Sequence, residues 1–334
     1  MKSLRMRQDR SLYFQEIAKP QKPGPGQVLV KMRYASICGY DIMVLMGKAS
    51  REPSGVIGHE GSGIVEAVGE GVLDFKPGDR VTLGASMPCG ICNACRSGHP
   101  EYCINVEGNA CFMSEYVMLD QHVVYHVPDT LSMKGACLIE PLVMAMYAVK
   151  KANLTYGKNV IMLGCGAMGQ IILKLIRQHP VGKIVVVEPS AQKRDAALRF
   201  GADVVLNPNA GNMMSEALMI SGGQGYDSVL EISGSRDSAK NAFNLVARGG
   251  SVVYFALYGM DYALDVNLFA LYWKDATISA VGVPSGQYPA ALQIAPHLKL
   301  EEVITAIYPF EQAIEAFEEK AIGDHAKVML EFPE

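Results

Sequence analysis

Residues 160–189 read VIMLGCGAMGQIILKLIRQHPVGKIVVVEP, and this stretch decides how the rest of the chain is read. Four apolar residues, Val160 to Leu163, run into Gly164-Cys165-Gly166-Ala167-Met168-Gly169. A helical pattern follows over 170–177, and a second apolar run, Ile184 to Val187, ends in Glu188. G-x-G-x-x-G alone says little in a chain with 33 glycines. With a strand before it, a helix after it and an acidic residue closing the next strand, it is the fingerprint of a dinucleotide site. The glycines permit a tight turn and close approach of a pyrophosphate to the helix N-terminus, while Glu188 can accept hydrogen bonds from both ribose hydroxyls. Gly164, Gly166, Ala167, Met168, Gly169 and Glu188 are therefore the candidate cofactor residues. A carboxylate at 188 repels a 2′-phosphate, so NAD is expected rather than NADP. Lys193 and Arg194 follow closely and read equally as adenosine contacts or as a solvated helix face.

Working outward, strand-like runs at 203–206, 228–232 and 251–255 alternate with helical patches from about Ala136, which implies a parallel doubly wound sheet. Before residue 130 the texture differs. Short apolar runs at 27–34, 64–68, 81–83 and 116–119 are punctuated by Gly and Pro, the mark of a β-rich unit with many turns. After Val283 the alternation stops, Phe310, Ile314 and Phe317 recur at helical spacing, and an apolar run closes at 328–332. That tail is too short to be a domain and is expected to return to the first unit. The expected architecture is α/β, with 1–146 and 284–334 forming a discontinuous β-rich domain and 147–283 the doubly wound insert.

Composition sets the limits. Of 334 residues, 49% are hydrophobic and 19% charged, enough apolar material for a sizeable core and too much for a disordered chain. Lys plus Arg is 30 and Asp plus Glu 34, so 30 − 34 = −4 leaves no basic excess for a phosphate backbone, and no nucleic-acid partner is expected. The opening MKSLRMRQDR carries five charges and leads into no apolar run, unlike a secretory signal. The uncharged stretch 276–298 is broken by Gly282, Pro284, Gly286, Pro289 and Pro296, whereas a membrane helix needs about 20 mostly apolar residues. No membrane association is expected, and the reading is of a soluble, cytoplasmic protein.

Eight cysteines are too few for a disulfide scaffold, and four crowd one polar loop. Cys89, Cys92, Cys95 and Cys103 spell C-x2-C-x2-C-x7-C. Four thiolates can close a tetrahedron around zinc with no open position, a structural site; the usual iron–sulfur spacings differ. Cys111, Cys137 and Cys165 have no ligand-type neighbour at useful spacing and read as packed or partly exposed thiols. A second constellation is dispersed: Cys38-Gly39-Tyr40-Asp41, then Gly58-His59-Glu60 followed by Gly61, Gly63 and Gly69, then Glu140-Pro141-Leu142. Singly each is weak. Jointly, Cys, His and carboxylate supply three or four ligands for a zinc that keeps a position for water or a substrate oxygen.

In this order, the Cys38 motif, the Gly58-His59-Glu60 signature, the four-cysteine lobe, Glu140-Pro141-Leu142 and the Gly164–Gly169 turn resemble the zinc-containing medium-chain alcohol dehydrogenase family over essentially the whole chain. The resemblance implies a GroES-like catalytic domain, a Rossmann domain and NAD. It also implies one catalytic and one structural zinc per chain, and a homo-oligomer, dimer or tetramer. Cys38, His59 and Glu140 become the implied catalytic-zinc ligands, with Glu60 either a ligand or exchanging with substrate and water. The implied reaction moves a hydride between a secondary alcohol and NAD. Glu140-Pro141-Leu142 looks most like the polyol branch, meaning sorbitol dehydrogenase and its sugar-alcohol relatives, with threonine and butanediol dehydrogenases close by. Two positions depart from the pattern: Tyr40 stands where relatives carry the Ser or Thr of a proton relay, and Met43 where many carry His. Tyr40 is accordingly a candidate for the proton path or for a wall of the pocket. No Arg of the kind that sorbitol dehydrogenases place near substrate occurs at 283–288, so sorbitol itself is not implied. Two other classes compete: a zinc-free quinone or enoyl reductase, which needs neither Cys38 nor the four-cysteine loop, and a non-catalytic, zinc-stabilised binding protein.

Overall fold

Val- and Ile-rich strands buried on both faces form the centre of the sheet of the second unit, as a parallel sheet requires. A computed structural model describes residues 1–49, 55–106, 111–282 and 286–334. It divides into two units, Met1–Val143 with Val283–Glu334, and Met144–Gly282. In the latter, the strands in chain order are Val160–Leu163, Ile184–Val187, Val204–Leu206, Tyr226–Glu231, Val246–Tyr254 and Thr277–Ala280, all parallel and arranged 3-2-1-4-5-6. The first two are buried at every position. The order reverses between the first and fourth strands, where Leu163 pairs with Glu231. Three helices between strands begin on side-chain caps: Ser190, Ser235 and Asn267 accept from the N–H groups of Lys193, Ser238 and Ala270. The Lys274 ammonium donates to the carbonyls of Phe243, Asn244 and Val246 at 3.1, 3.4 and 2.7 Å, satisfying the end of the helix Arg236–Leu245.

The first unit is built on a seven-stranded sheet. Its continuous order is Ile304–Pro309, Lys327–Glu331, Gln27–Ile37, Glu60–Val68, Arg80–Leu83 and Val124–His126, with Tyr116–Asp120 also paired to Gln27–Ile37. A smaller sheet joins Leu12–Glu16, Lys2–Met6 and Gly55–Val56. The C-terminal tail returns here: Lys327–Glu331 pairs antiparallel with Gln27–Ile37, Val328 opposite Ile37 and Leu330 opposite Ala35. Phe310, Phe317 and Phe332 bury their rings in this core, Phe310 stacked on Phe332 at 4.2 Å and edge-on to Phe14 at 5.4 Å.

The first break between units falls at 143/144, inside the helix Ile139–Lys151, as does the expected 146/147; no Gly or Pro interrupts residues 142–151, so no sequence signal marks the point. The expected second boundary, 283/284, lies outside the described residues. Strands Lys2–Met6, Leu12–Glu16, Thr277–Ala280 and Ile304–Pro309 were not legible as runs. Among the described residues no helix is long and apolar enough to cross a membrane.

One glycine shows how closely the first unit is packed. The Gly69 N–H donates to the Gln27 carbonyl at 2.8 Å, and a Cβ at Gly69 would lie 1.8 Å from the Gly24 carbonyl oxygen, a backbone atom that cannot swing away. Gly39, by contrast, has nothing within 4 Å of its missing Cβ. Gly69→Ala is therefore expected to cost about 2–4 kcal/mol in denaturant unfolding, while Gly39→Ala should stay within about 0.5 kcal/mol of the parent.

Candidate functional site

Cys38 ends the long strand Gln27–Ile37 and caps the helix Gly39–Leu45. Asp41, three residues on and 3% exposed, holds two groups at once: Oδ2 accepts the Cys38 N–H at 3.0 Å, and Oδ1 lies 3.4 Å from His59 Nδ1. A histidine whose Nδ1 is engaged by a carboxylate presents Nε2 to a metal in a fixed orientation. Burial disfavours charge on His59, but the Asp41 carboxylate and the Cys38 thiol outweigh it and hold its pKa well above the usual histidine value. The ligand atoms of Cys38, His59 and Glu60 lie within 4.8 Å of one another. Thiolate, imidazole and carboxylate are the donor set that zinc takes.

Glu60 opens the strand Glu60–Val68 and is fully buried. Its carboxylate receives the Lys327 ammonium at 2.9 and 2.7 Å and the Ser36 hydroxyl. Lys327 is itself 2% exposed, and neither it nor Ser36 was singled out by sequence reasoning. The available signal for Lys327 was a lysine heading an otherwise apolar strand, KVML. Glu140, in the first turn of the helix Ile139–Lys151, stands beside this group but outside the three whose atoms converge. Burial raises its pKa to about 7, with His59 and Lys327 opposing and Glu60 and Asp41 reinforcing. A divalent cation would reverse that balance, since it favours the ionised carboxylate. The donor set around Cys38 thus fits a zinc ion.

Tyr40 packs edge-on to His59, ring centroids 6.0 Å apart. Tyr288, also not singled out by sequence reasoning, is 4% exposed, stacks on Tyr125 at 4.6 Å and accepts the Ala85 N–H at 3.4 Å. Its burial, with Glu140 nearby, pushes its phenol well above the usual tyrosine range.

The four-cysteine loop converges without any disulfide among these thiols. Sγ atoms of Cys92 and Cys95 are 3.5 Å apart, Cys92 and Cys103 3.9 Å, and Cys103 and Cys89 3.5 Å. A tetrahedron with Zn–S bonds of about 2.3 Å has edges of about 3.8 Å, so the spacing fits zinc. Backbone N–H groups aim at the sulfurs: the one of Cys95 leads in lowering the Cys92 thiol to about 6, and those of Ile91 and Cys92 lower Cys89. Thiolates are the form that zinc binds. Cys137 and Cys165 are buried, and Cys111 is partly exposed.

In the second unit the glycines of the turn have separate duties. Gly164 sits at φ +105°, and a Cβ there would lie within 3.0 Å of Ser233 backbone and side-chain atoms. Gly169 closes on the Gly164 carbonyl, 2.6 Å from where its own Cβ would be. Gly166, which precedes the helix Ala167–Ile176, has no atom of the chain within 4 Å of its missing Cβ. That open cradle at a helix N-terminus fits a pyrophosphate. Ala167 and Met168, in the first turn of the helix, are partly exposed. Glu188 is 6% exposed, and its two oxygens accept the N–H groups of Cys165 at 2.8 Å and Ser190 at 3.0 Å. Each oxygen retains a lone pair for a ribose hydroxyl. Arg194 is committed elsewhere, donating to the carbonyls of Glu188 at 2.8 Å and Pro189 at 2.6 Å. Lys193 is partly exposed, and its charge reaches Cys165.

Two family models match: an alcohol dehydrogenase GroES-like domain over residues 24–129 and a zinc-binding dehydrogenase over 167–296. The L-threonine 3-dehydrogenase of Pyrococcus abyssi is 30% identical over 325 residues, 92% of each chain. The D-xylulose reductase A of Aspergillus niger is 26% identical over 336 residues, 95% of this chain and 92% of that one. The crystal structure of an Escherichia coli oxidoreductase/dehydrogenase of unknown specificity matches with a TM-score of 0.90 at 26% identity, covering 100% of both chains. The chain belongs to the zinc-dependent medium-chain alcohol dehydrogenase family.

Proposed function

We propose that this protein oxidises a small secondary alcohol of the polyol or sugar-alcohol type to the ketone, with NAD as hydride acceptor. The observation that carries the reading is the meeting of Cys38, His59 and Glu60 under Asp41 and Lys327. The relatives named for D-xylulose and L-threonine support a polar secondary alcohol. Cys38, His59 and Glu140 would hold the catalytic zinc, with Glu60 a ligand or a group that exchanges with substrate and water; Cys89, Cys92, Cys95 and Cys103 would hold the structural one. When bound, zinc polarises the alcohol oxygen and the nicotinamide ring takes the hydride.

The residues do the rest. Asp41 fixes the Cys38 backbone and the His59 ring, so two ligands arrive pre-oriented. Lys327 donates to both oxygens of Glu60, so this buried carboxylate is not left without an opposite charge. Tyr40, beside His59, offers a phenol that both donates and accepts, for the proton path or as a wall of the pocket. Glu188 receives the adenosine ribose and Gly166 leaves room for the pyrophosphate. A homo-oligomer, dimer or tetramer, is supported by the edge strand Thr277–Ala280 and by the exposed Leu268, Phe269, Tyr272 and Trp273 on the preceding helix. A cytoplasmic location suits zinc–thiolate chemistry, because thiols there stay reduced.

NAD reduction screened over polyols, sugar phosphates, L-threonine and butanediol tests the reading; turnover on a secondary alcohol is expected, and activity confined to enones or quinones would overturn it. Metal analysis of fresh protein should find two zinc ions per chain. Cys92→Ser with Cys95→Ser should lose one of them and lower the melting temperature, whereas Cys38→Ser should lose the other and abolish turnover with the fold intact. For the cofactor, kcat/KM should favour NAD over NADP, and Glu188→Ser should narrow the gap by removing charge repulsion.

A further inference from the structure

A carboxylate of the second unit remains outside this account. Glu231 ends the fourth strand of the parallel sheet, opposite Leu163 and one residue from the glycine turn, and is fully buried. Oε1 accepts the Ser233 N–H at 3.0 Å and the Ser233 hydroxyl, and Oε2 accepts the Tyr258 hydroxyl. Its main-chain carbonyl takes the Phe255 N–H at 2.8 Å, while the Ile232 N–H reaches the Leu163 carbonyl at 2.9 Å. Glu231 and Ile232 thereby tie together the ends of the first, fourth and fifth strands. A buried charge is ordinarily paired with an opposite one. Among the described residues, the groups that hold the Glu231 carboxylate are neutral hydrogen-bond donors, with no Lys, Arg or His among them.

Its position says what cation could complete it. In a doubly wound sheet the dinucleotide lies across the carboxyl ends of the strands where their order reverses, one mononucleotide on each side. With Glu188 on the adenosine side at the end of the second strand, the nicotinamide half would fall over the ends of the fourth and fifth. Ser233, bonded to Glu231, abuts Gly164 of the pyrophosphate turn. The oxidised nicotinamide is a pyridinium cation and the reduced ring is neutral. We infer that Glu231 is a positioning residue that discriminates between the two redox states of the cofactor, its buried charge favouring NAD⁺ over NADH. Hydride transfer removes the cation and with it this attraction, loosening the reduced cofactor at the moment it must leave. Burial pushes the Glu231 carboxyl above its usual range, and the Ser233 and Tyr258 hydroxyls draw it back.

The inference rests on the NAD reading, and the test separates the two. Dissociation constants for NAD⁺, NADH and ADP-ribose are measured by calorimetry on the zinc-loaded protein. Glu231→Gln should raise the ratio Kd(NAD⁺)/Kd(NADH) on the order of tenfold, the scale of one charge acting across a partly screened site. That is about 30 mV on the bound two-electron couple. ADP-ribose, lacking the nicotinamide, should bind as before. Tyr258→Lys, which leaves Glu231 in place and neutralises it from a half-exposed position, should shift the ratio the same way and serves if Glu231→Gln does not fold. Tyr258→Phe, which keeps the charge, should hold the ratio within twofold. An unchanged ratio in Glu231→Gln or Tyr258→Lys, or an equal shift in Tyr258→Phe, would overturn the inference. Failure of the parent to bind NAD⁺ or ADP-ribose would instead overturn the cofactor assignment and the inference with it.

Discussion

Lys327 and Glu60 are 267 residues apart in sequence and paired in the interior of the first unit. Taking two charges out of water is costly, and breaking such a pair strands one of them at about 3–5 kcal/mol. The pair spans the strand Gln27–Ile37, since Val328 lies opposite Ile37 on one side and Glu60 opposite Ser36 on the other. The C-terminal strand must therefore dock before Glu60 has its cation, and Glu60 adjoins His59. The discontinuous domain and the carboxylate beside His59 share one physical requirement.

The second unit solves the same problem without a cation. Glu188 is buried against backbone N–H groups and Glu231 against hydroxyls and a backbone N–H, each at the end of a parallel strand. Charge-assisted hydrogen bonds are strong enough to keep a carboxylate in place. They do so without a buried ammonium of the Lys327 kind on the carboxylate, which suits a place that receives a ligand. In the first unit the field of Glu60 is cancelled by Lys327, which suits a site built around a metal.

The parts of the molecule that were legible from sequence are those whose chemistry is local. The glycine turn, the four-cysteine loop and the Cys38 and His59 motifs each fit within about fifteen residues, where spacing alone constrains geometry. Lys327, Ser36, Tyr288 and the Tyr258–Glu231 contact were not legible, because each acquires meaning only through strand pairing or packing across long separations. Asp41 was quoted within its motif, yet its grip on both Cys38 and His59 depends on a helix start meeting a different strand. The edge strand Thr277–Ala280 escaped for another reason: four residues with neither clean alternation nor continuous burial look like loop.

Glu188 has a double employment that bears on how such a chain can diverge. Because its oxygens brace Cys165 and Ser190, the residue proposed to receive the ribose also holds the loop proposed to cradle the phosphates. Arg194, one of two nearby cations with Lys193, is tied to the carbonyls of Glu188 and Pro189. A lineage drifting toward 2′-phosphorylated cofactors would thus loosen the loop as it removed the repelling charge. Each single step is disfavoured, and cofactor choice in this scaffold is guarded by the architecture of the turn as well as by one charge.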